Sequence, residues 1–131
     1  MELRPDLSGR TALVTGSAKR VGRELLLSIA DCGADVVVHY NESEAAATAT
    51  AEEVRERGGT AVTAQGDITD PDAVDELFDT VEAELGSVDV LVNNAGVLTR
   101  ETLEDLDTDR MRREFKVNAL GPLRVTAALR D

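Results

Sequence analysis

The amino-acid sequence predicts an α/β protein in which a parallel β-sheet is covered by helices on both faces. Short apolar, β-branched runs alternate along the chain with segments whose apolar residues have helical spacing. The predicted strands are apolar at consecutive positions, which is typical of strands buried on both faces. No repeat or linker interrupts this alternation, so we expect the 131 residues to form one domain, residues 1–131.

The order of the elements follows from these runs and from the residues that end them. Strands are predicted at residues 10–16, 35–40, 60–67 and 88–92, each a short apolar or alternating run. Helices are predicted between them at residues 21–33, 44–57 and 71–85, with Pro71 in a first turn, where proline is tolerated. A long helical pattern then fills most of the segment from about Thr108 to Arg130.

Composition narrows the class of protein. With 26 acidic and 14 basic side chains the net charge is −12, which disfavours binding to nucleic-acid phosphates. No apolar run is long enough for a membrane span, and the N-terminus has no apolar signal segment, so we expect a cytoplasmic protein that does not bind membranes. The single cysteine, Cys32, has no spacing typical of a metal site.

The distribution of charge is informative. The acidic surface fits either a high-salt, halophilic cytoplasm or ordinary solubility, and the sequence leaves both open. Against this background, residues 7–23 contain no acid and four basic residues: Arg10, Lys19, Arg20 and Arg23. We expect an anion to bind there.

The phosphate loop, residues 15–22 with the sequence TGSAKRVG, lies between the first predicted strand and the first predicted helix. Gly16 allows a tight turn and Gly22 allows close packing of the helix, so that free N–H groups of the helix N-terminus face an anion. The loop lacks the middle glycine of the dinucleotide pattern, and a plain strand–helix turn is the alternative. The candidate cofactor-binding residues of this loop are Gly16, Ser17, Lys19, Arg20, Val21 and Gly22.

The end of the second strand bears on which cofactor binds. An Asp or Glu there normally holds a ribose 2′-hydroxyl, whereas a 2′-phosphate requires cations and hydrogen-bond donors. The candidate residues at this point are polar and uncharged, and Glu42 is the one acid within residues 39–43. This scarcity of carboxylates favours NADP(H). The candidate residues are His39, Tyr40, Asn41 and Ser43. For His39 the alternative is a histidine that only satisfies hydrogen bonds at the strand end.

Several motifs have the order and spacing of the short-chain dehydrogenases/reductases, so the chain resembles that superfamily along essentially its whole length. These motifs are Thr15-Gly16, Asp67-Ile68, Asn93-Asn94-Ala95-Gly96 and Asn118. Lys19-Arg20-Val21-Gly22 with His39-Tyr40 further resembles the pteridine reductases and the neighbouring 3-oxoacyl-carrier-protein reductases. The resemblance implies a Rossmann-type sheet with strand order 3-2-1-4, NADPH as cofactor, and a small carbonyl or pterin substrate.

The resemblance also implies roles for single residues. Asp67 is similar to the family aspartate that bonds the adenine amino group, with Ile68 beside the ring; a cap for the following helix is the alternative. Asn94, Ala95 and Gly96 would line the cofactor crevice at the end of the fourth strand. Asn93 is expected to brace the sheet.

Asn118 aligns with the family asparagine whose main-chain carbonyl holds a water in the proton relay, which makes it the one candidate catalytic residue. Pro122 lacks the N–H that would bond this carbonyl in an α-helix, which suggests an acceptor left free at a catalytic position. A simple kink at Gly121-Pro122 is the alternative.

The catalytic Ser and the Tyr-x-x-x-Lys pair of the family do not occur in this sequence, because the one tyrosine, Tyr40, is followed four positions later by Glu44. The chain therefore resembles an amino-terminal half, truncated after the fourth strand and the following helix, and we expect it to be inactive alone. A complete nucleotide-binding module, or a dimerisation module acting through the last helix, is the alternative. The resemblance implies a homo-oligomer through that helix.

Overall fold

The computed structural model describes residues 3–129. Four parallel strands form one sheet in the order β3-β2-β1-β4, so the predicted fold class and strand order are confirmed. The strands are β1 (Thr11–Val14), β2 (Asp35–Tyr40), β3 (Ala61–Gln65) and β4 (Val90–Val92). Three of them are shorter than predicted: β1 and β3 end before Thr15 and Gly66, which belong to the loops that build the site, and β4 begins two residues later than predicted.

The helices are α1 (Arg20–Asp31), α2 (Glu44–Glu56), α3 (Pro71–Leu85), α4 (Thr108–Phe115) and α5 (Gly121–Ala128). Helix α3 begins as predicted, with Pro71 in its first turn and the Asp70 carboxylate accepting from the Asp72 N–H at 3.0 Å. Within residues 3–129, no helix has both the length and the apolar character that crossing a membrane requires.

The long helical segment predicted from about Thr108 to Arg130 is confirmed through Ala128, although it is not a regular α-helix throughout; Arg130 itself lies outside the described residues. A π-helical turn, Lys116–Leu120, separates α4 from α5, and the Gly121 N–H donates to the Lys116 carbonyl five residues earlier. Pro122 in the first turn of α5 supplies no N–H, and the wider turn shifts the hydrogen-bond register just before it.

Helices cover both faces of the sheet, as the apolar strands predict. On one face Ala12 and Val14 of β1 pack in a cluster with Leu26 of α1 and Val54 of α2. On the other face Leu13 belongs to a second cluster, which includes these residues of α3 and α5: Leu77, Phe78, Val81 and Val125. Burying the apolar surface of each large side chain stabilises the fold by roughly 1.5–3 kcal/mol. The two cores hold the carboxyl ends of all four strands at one edge, where the loops meet.

Candidate functional site

A cavity of about 840 Å³ opens at the carboxyl edge of the sheet. Its walls come from the loops after β1, β2, β3 and β4, together with one side of α4. Most of the residues that the sequence singles out line it: Gly16, Lys19, Arg20, Val21, Gly22, His39, Asn41, Asp67, Ile68, Asn94, Ala95 and Gly96. Parallel α/β sheets bind ligands at this edge.

The phosphate loop folds tightly because two glycines remove steric obstacles. Gly16 has φ +64°, in the left-handed region, and a Cβ there would lie 3.1 Å from the Ala95 Cα. A Cβ on Gly22 would lie 2.3 Å from the Gly16 carbonyl oxygen and 2.4 Å from the Asn94 amide nitrogen. Arg23 makes the first bond of the helix, to the Lys19 carbonyl. The N–H groups before it therefore have no partner within the helix and face the cavity edge.

Arg20 has an unusual backbone conformation. Among residues 3–129 it is the one non-glycine residue with positive φ, at +57°. A left-handed conformation costs an L-residue roughly 1–2 kcal/mol, which explains why glycine suits this position. The Arg20 side chain is exposed and places a positive charge on the cavity wall, which glycine would not do.

Thr15 and Asn94 tie the phosphate loop to the loop after β4. The buried Thr15 hydroxyl oxygen accepts from the N–H groups of Asn94 and Ala95, both at 3.0 Å. The Asn94 side chain donates in turn to the carbonyls of Thr15 and Gly16, at 3.1 and 3.2 Å. The sequence indicates Thr15 only as part of a motif, so its role in joining the two loops is visible only in the structure. Asn93 bonds the Thr126 hydroxyl of α5 at 3.1 Å, rather than bracing the sheet as expected.

His39 and Ser17 are structural partners inside the fold. Ser17 is fully buried, its side chain accepts from the His39 N–H at 3.1 Å, and it does not line the cavity. The His39 Nδ1 accepts from the Gly16 N–H at 3.0 Å, and Nε2 donates to the Gly66 carbonyl at 2.8 Å. Both ring nitrogens are therefore engaged by the backbone, so the expectation that they hold a 2′-phosphate is wrong, and the alternative of a satisfied strand-end histidine fits.

The remaining residues after β2 divide between the cavity and the core. Asn41 is exposed, lines the cavity, and its side-chain oxygen accepts from Gln65 at 3.4 Å. Tyr40 packs instead against the core under α1 and α2, and Ser43 precedes α2 without capping it through its side chain. Neither reaches the cavity. Glu42 is exposed and also outside the cavity lining, so it does not place a carboxylate in the site.

Asp67 is held in place as an ionised acceptor. Its Oδ1 accepts from the Thr69 N–H at 2.9 Å and the Thr69 hydroxyl at 2.7 Å. These two bonds hold the pKa of Asp67 below its usual range, and the nearby Arg113 and His39 lower it further by smaller amounts. Oδ2 is then the atom available to a ligand. Arg124 of α5 donates to the Thr69 carbonyl at 2.7 Å and fixes the loop. Since Asp70 caps α3, the alternative of Asp67 as its cap is wrong.

Helix α4 supplies a second basic wall that sequence reasoning did not single out. Arg112 and Arg113 of α4 line the cavity along with the acidic Asp109, and Lys116, the first residue of the π-helical turn, lines it next to them. A signal was present, since residues 110–116 carry four basic residues and one acid. The cavity wall therefore holds five basic side chains against two acidic ones in a chain of net charge −12. Such a wall attracts anions.

Asn118 acts through its side chain in the described structure and does not line the cavity. Its Oδ1 accepts from the Val97 N–H and its Nδ2 donates to the Val97 carbonyl, both at 2.7 Å. This pair of bonds fixes the loop after β4 against the π-helical turn. The role of the Asn118 main-chain carbonyl in a proton relay stays a prediction, at a position where the helix does change register.

Comparison with known proteins gives a consistent result. The family model described as short chain dehydrogenase matches residues 10–131. A versicolorin reductase of Emericella nidulans is 36% identical over 115 residues, which are 88% of this chain and 44% of that protein. An L-rhamnose 1-dehydrogenase of Sphingomonas is 35% identical over 88% of this chain and 45% of its own length.

Solved structures agree in fold. A short-chain type dehydrogenase/reductase from Mycobacterium marinum has a TM-score of 0.90 at 33% identity, covering 95% of this chain and 50% of its own. A gluconate 5-dehydrogenase from Burkholderia cenocepacia, solved with NADP and tartrate, has a TM-score of 0.86 at 34% identity, covering 95% and 48%. This chain thus spans about half the length of the relatives it matches.

Proposed function

Because the chain belongs to the short-chain dehydrogenase family, we propose that it is the amino-terminal, cofactor-binding half of an NADPH-dependent oxidoreductase. The complete protein would transfer a hydride between nicotinamide and a carbonyl or pterin substrate. The observation that carries this proposal is the cationic cavity at the carboxyl edge of the sheet, bordered by a glycine-cradled helix N-terminus.

The residues present fit a dinucleotide. Gly16 and Gly22 let the N-terminus of α1 pack closely against the phosphate loop and Asn94. In that position α1 presents free N–H groups to a diphosphate. The ionised Asp67 offers a carboxylate oxygen to an adenine amino group, with Ile68 beside it in the cavity wall. Asn94 and Gly96 line the end near β4, where the nicotinamide half would lie.

The preference for NADPH rests on positive charge in the phosphate loop and on the uncharged Asn41 that follows β2. Lys19 and Arg20 are exposed on the cavity wall, and Asn41 lies on the same wall as an uncharged polar residue. A 2′-phosphate carries more than one negative charge at neutral pH and forms strong charge-assisted hydrogen bonds with such cations. The resemblance to pteridine and 3-oxoacyl-carrier-protein reductases supports the same cofactor.

Bound nicotinamide supplies the hydride in this chemistry, and this chain binds and orients the cofactor. The family's proton donor is a tyrosine paired with a lysine, a pair that does not occur in residues 1–131. The chain alone is therefore expected to bind NADPH without reducing a carbonyl substrate.

Placing a carboxylate at the end of β2 tests the proposed cofactor preference. The Asn41→Asp substitution is expected to weaken NADPH binding by at least about tenfold, because a carboxylate then faces the 2′-phosphate. NADH affinity should stay the same or rise, since the carboxylate can accept from a ribose 2′-hydroxyl. The measurement is fluorescence titration with both cofactors. Glu42→Gln, outside the cavity, is the matched control and should leave the ratio of affinities unchanged.

Helix α4 favours a second candidate function, self-association through the last helices. None of its eight residues is buried, and Met111, Phe115 and, in α5, Leu123 expose more than half of their surface. Exposed apolar side chains of this size along one helical segment are typical of an interface.

Replacing Phe115 by glutamate tests this surface. The native chain is expected to form dimers or larger oligomers that persist at high salt, because apolar contacts are not screened, and Phe115→Glu should shift the population towards monomer. Size-exclusion chromatography with light scattering at low and high salt measures the distribution. A native chain that is monomeric at all concentrations would exclude this function.

A further inference from the structure

The imidazole of His39 joins two loops of the cofactor site and is almost completely buried. We propose that His39 is a positioning residue: its neutral Nε2–H form holds the phosphate loop and the loop of residues 66–70 in register, and its protonation releases Gly16 and weakens cofactor binding. This inference rests on the proposed function, because it concerns how the same site binds NADPH.

The geometry allows only one form of the ring. The Gly16 N–H lies 3.0 Å from Nδ1, which must therefore accept, and the Gly66 carbonyl lies 2.8 Å from Nε2, which must therefore donate. Both partners are backbone groups that cannot exchange roles. The ring is 2% exposed, so water cannot replace either bond. The neutral tautomer with the proton on Nε2 is the one that fits.

The two bonds reach the parts of the site that would hold opposite ends of the adenosine moiety. Gly16 begins the turn whose helix faces the diphosphate, and Gly66 precedes Asp67, the proposed acceptor for adenine. Two further bonds between the Ser17 and His39 segments, each 3.1 Å, fix the ring's own backbone. His39 thus sets the distance between two binding loops, and both of its ring nitrogens are occupied by backbone groups.

Protonation of His39 would convert Nδ1 into a donor that faces the Gly16 N–H. Burial lowers the pKa of His39, and the Gly66 hydrogen bond and the Asp67 carboxylate oppose this. The other charged groups that line the same cavity near these loops are Lys19 and Arg20 on the phosphate loop and Arg113 on α4. The neutral form therefore persists at neutral pH, and the transition falls below the usual histidine value of about 6.5.

The direction of the pH effect follows from linkage. Because the bound state requires the neutral ring, each pH unit below the midpoint should raise the Kd of NADPH by up to tenfold. By reciprocity, bound NADPH should lower the pKa of His39. The free energy of unfolding should also fall as pH drops below about 6.5, because the unfolded chain binds the proton more readily.

The test begins with the unmodified chain, in which His39 is the single histidine. Nuclear magnetic resonance of the imidazole nitrogens should show the Nε2–H tautomer. The Gly16 amide should titrate with the same midpoint as the ring, and NADPH should move that midpoint to lower pH. A ring that titrates in the usual range, with no change at Gly16, would overturn the proposal without any variant.

Two variants separate the role of His39 from titration of the cofactor's own 2′-phosphate, whose pKa is about 6. His39→Asn keeps an acceptor near Gly16, leaves the Gly66 carbonyl without its donor and does not titrate. NADPH affinity at pH 8 should therefore fall less than in His39→Leu, and the histidine component of its pH profile should disappear. His39→Leu leaves both backbone groups unpaired and should weaken binding at every pH by tenfold or more. Parallel pH profiles for the native chain and His39→Asn would overturn the inference alone, whereas absence of NADPH binding at any pH would contradict the proposed function itself.

Discussion

Replacing Gly22 with alanine is expected to abolish the cofactor site while leaving the rest of the sheet folded. The new Cβ would lie 2.3 Å from the Gly16 carbonyl oxygen and 2.4 Å from the Asn94 side-chain nitrogen. Both atoms belong to groups fixed by other bonds, so the first turn of α1 must move away from the phosphate loop. Such overpacking costs about 2 kcal/mol of stability, and the displaced N–H groups should weaken NADPH binding by well over about tenfold.

The sign of the stability change makes this a demanding test. At an unobstructed helical position, glycine to alanine stabilises by about 1 kcal/mol, so the clash predicts the opposite of helix propensity. Denaturant unfolding and cofactor titration measure the two effects. Ser28→Ala, an exposed substitution on the same helix, is the matched control; it should leave cofactor affinity unchanged and raise stability by a few tenths of a kcal/mol, about 0.5 kcal/mol at most. A Gly22→Ala chain of increased stability and full affinity would show that the close approach of α1 to Gly16 does not occur.

Replacing Thr15 with valine is expected to have the largest effect on stability. Valine has the shape of threonine but no acceptor, so the N–H groups of Asn94 and Ala95 lose the hydroxyl oxygen that both of them reach at 3.0 Å. A fully buried donor left unpaired costs about 1–3 kcal/mol, and because these two N–H groups are only partly buried, their combined loss should be about 2–3 kcal/mol. The loop after β4 would also lose its attachment to the phosphate loop, so NADPH affinity should fall as well.

The conservative variant isolates the hydrogen bonds from the packing. Thr15→Ser keeps the hydroxyl and removes only a methyl group, so its free energy of unfolding should stay within about 1.5 kcal/mol of the native value. Urea denaturation followed by circular dichroism gives both values. Equal losses for valine and serine would mean that Thr15 contributes by packing and does not organise the two loops.

The fold was predictable because its information is local. Continuous apolar runs such as residues 35–40 require burial on both faces, and the alternation with helical segments then dictates a parallel sheet. The boundaries were less predictable, since a strand ends where the hydrogen-bonded pairing ends. Thus Thr15 and Gly16 continue the apolar pattern of β1 yet already belong to the loop that builds the site.

The site was predictable where backbone conformation decides the residue type, and not where long-range contacts decide the role. Gly16 and Gly22 follow from the turn they must make. By contrast, the orientation of His39 depends on backbone groups of two other segments, 23 and 27 residues away. The basic wall of Arg112 and Arg113 is visible as charge in the sequence, but only the packing of α4 shows that it faces the same cavity.

The π-helical turn is a third place where the structure holds more than the sequence predicts. Pro122 signals a disturbed helix, and the sequence leaves a freed carbonyl and a kink as alternatives. The structure accommodates the proline by a change in register, with the Gly121 N–H bonding the Lys116 carbonyl. Close contact of Gly121 with Ile68, to which a Cβ would approach within 2.7 Å, fixes this turn against the proposed adenine side of the cavity. That contact joins segments 53 residues apart, and nothing in the sequence of either segment predicts it.

The central claim is that the cavity binds NADPH through a cationic wall, and calorimetric titration of the native chain with NADPH and NADH tests it most directly. Lys19 and Arg20 line the cavity and Glu42 does not, so NADPH should bind with an affinity at least about tenfold above that of NADH. This advantage should shrink as salt rises, because the cations are exposed. Equal affinities would contradict the preference for NADPH, and failure of both cofactors to bind would contradict the assignment of the cavity.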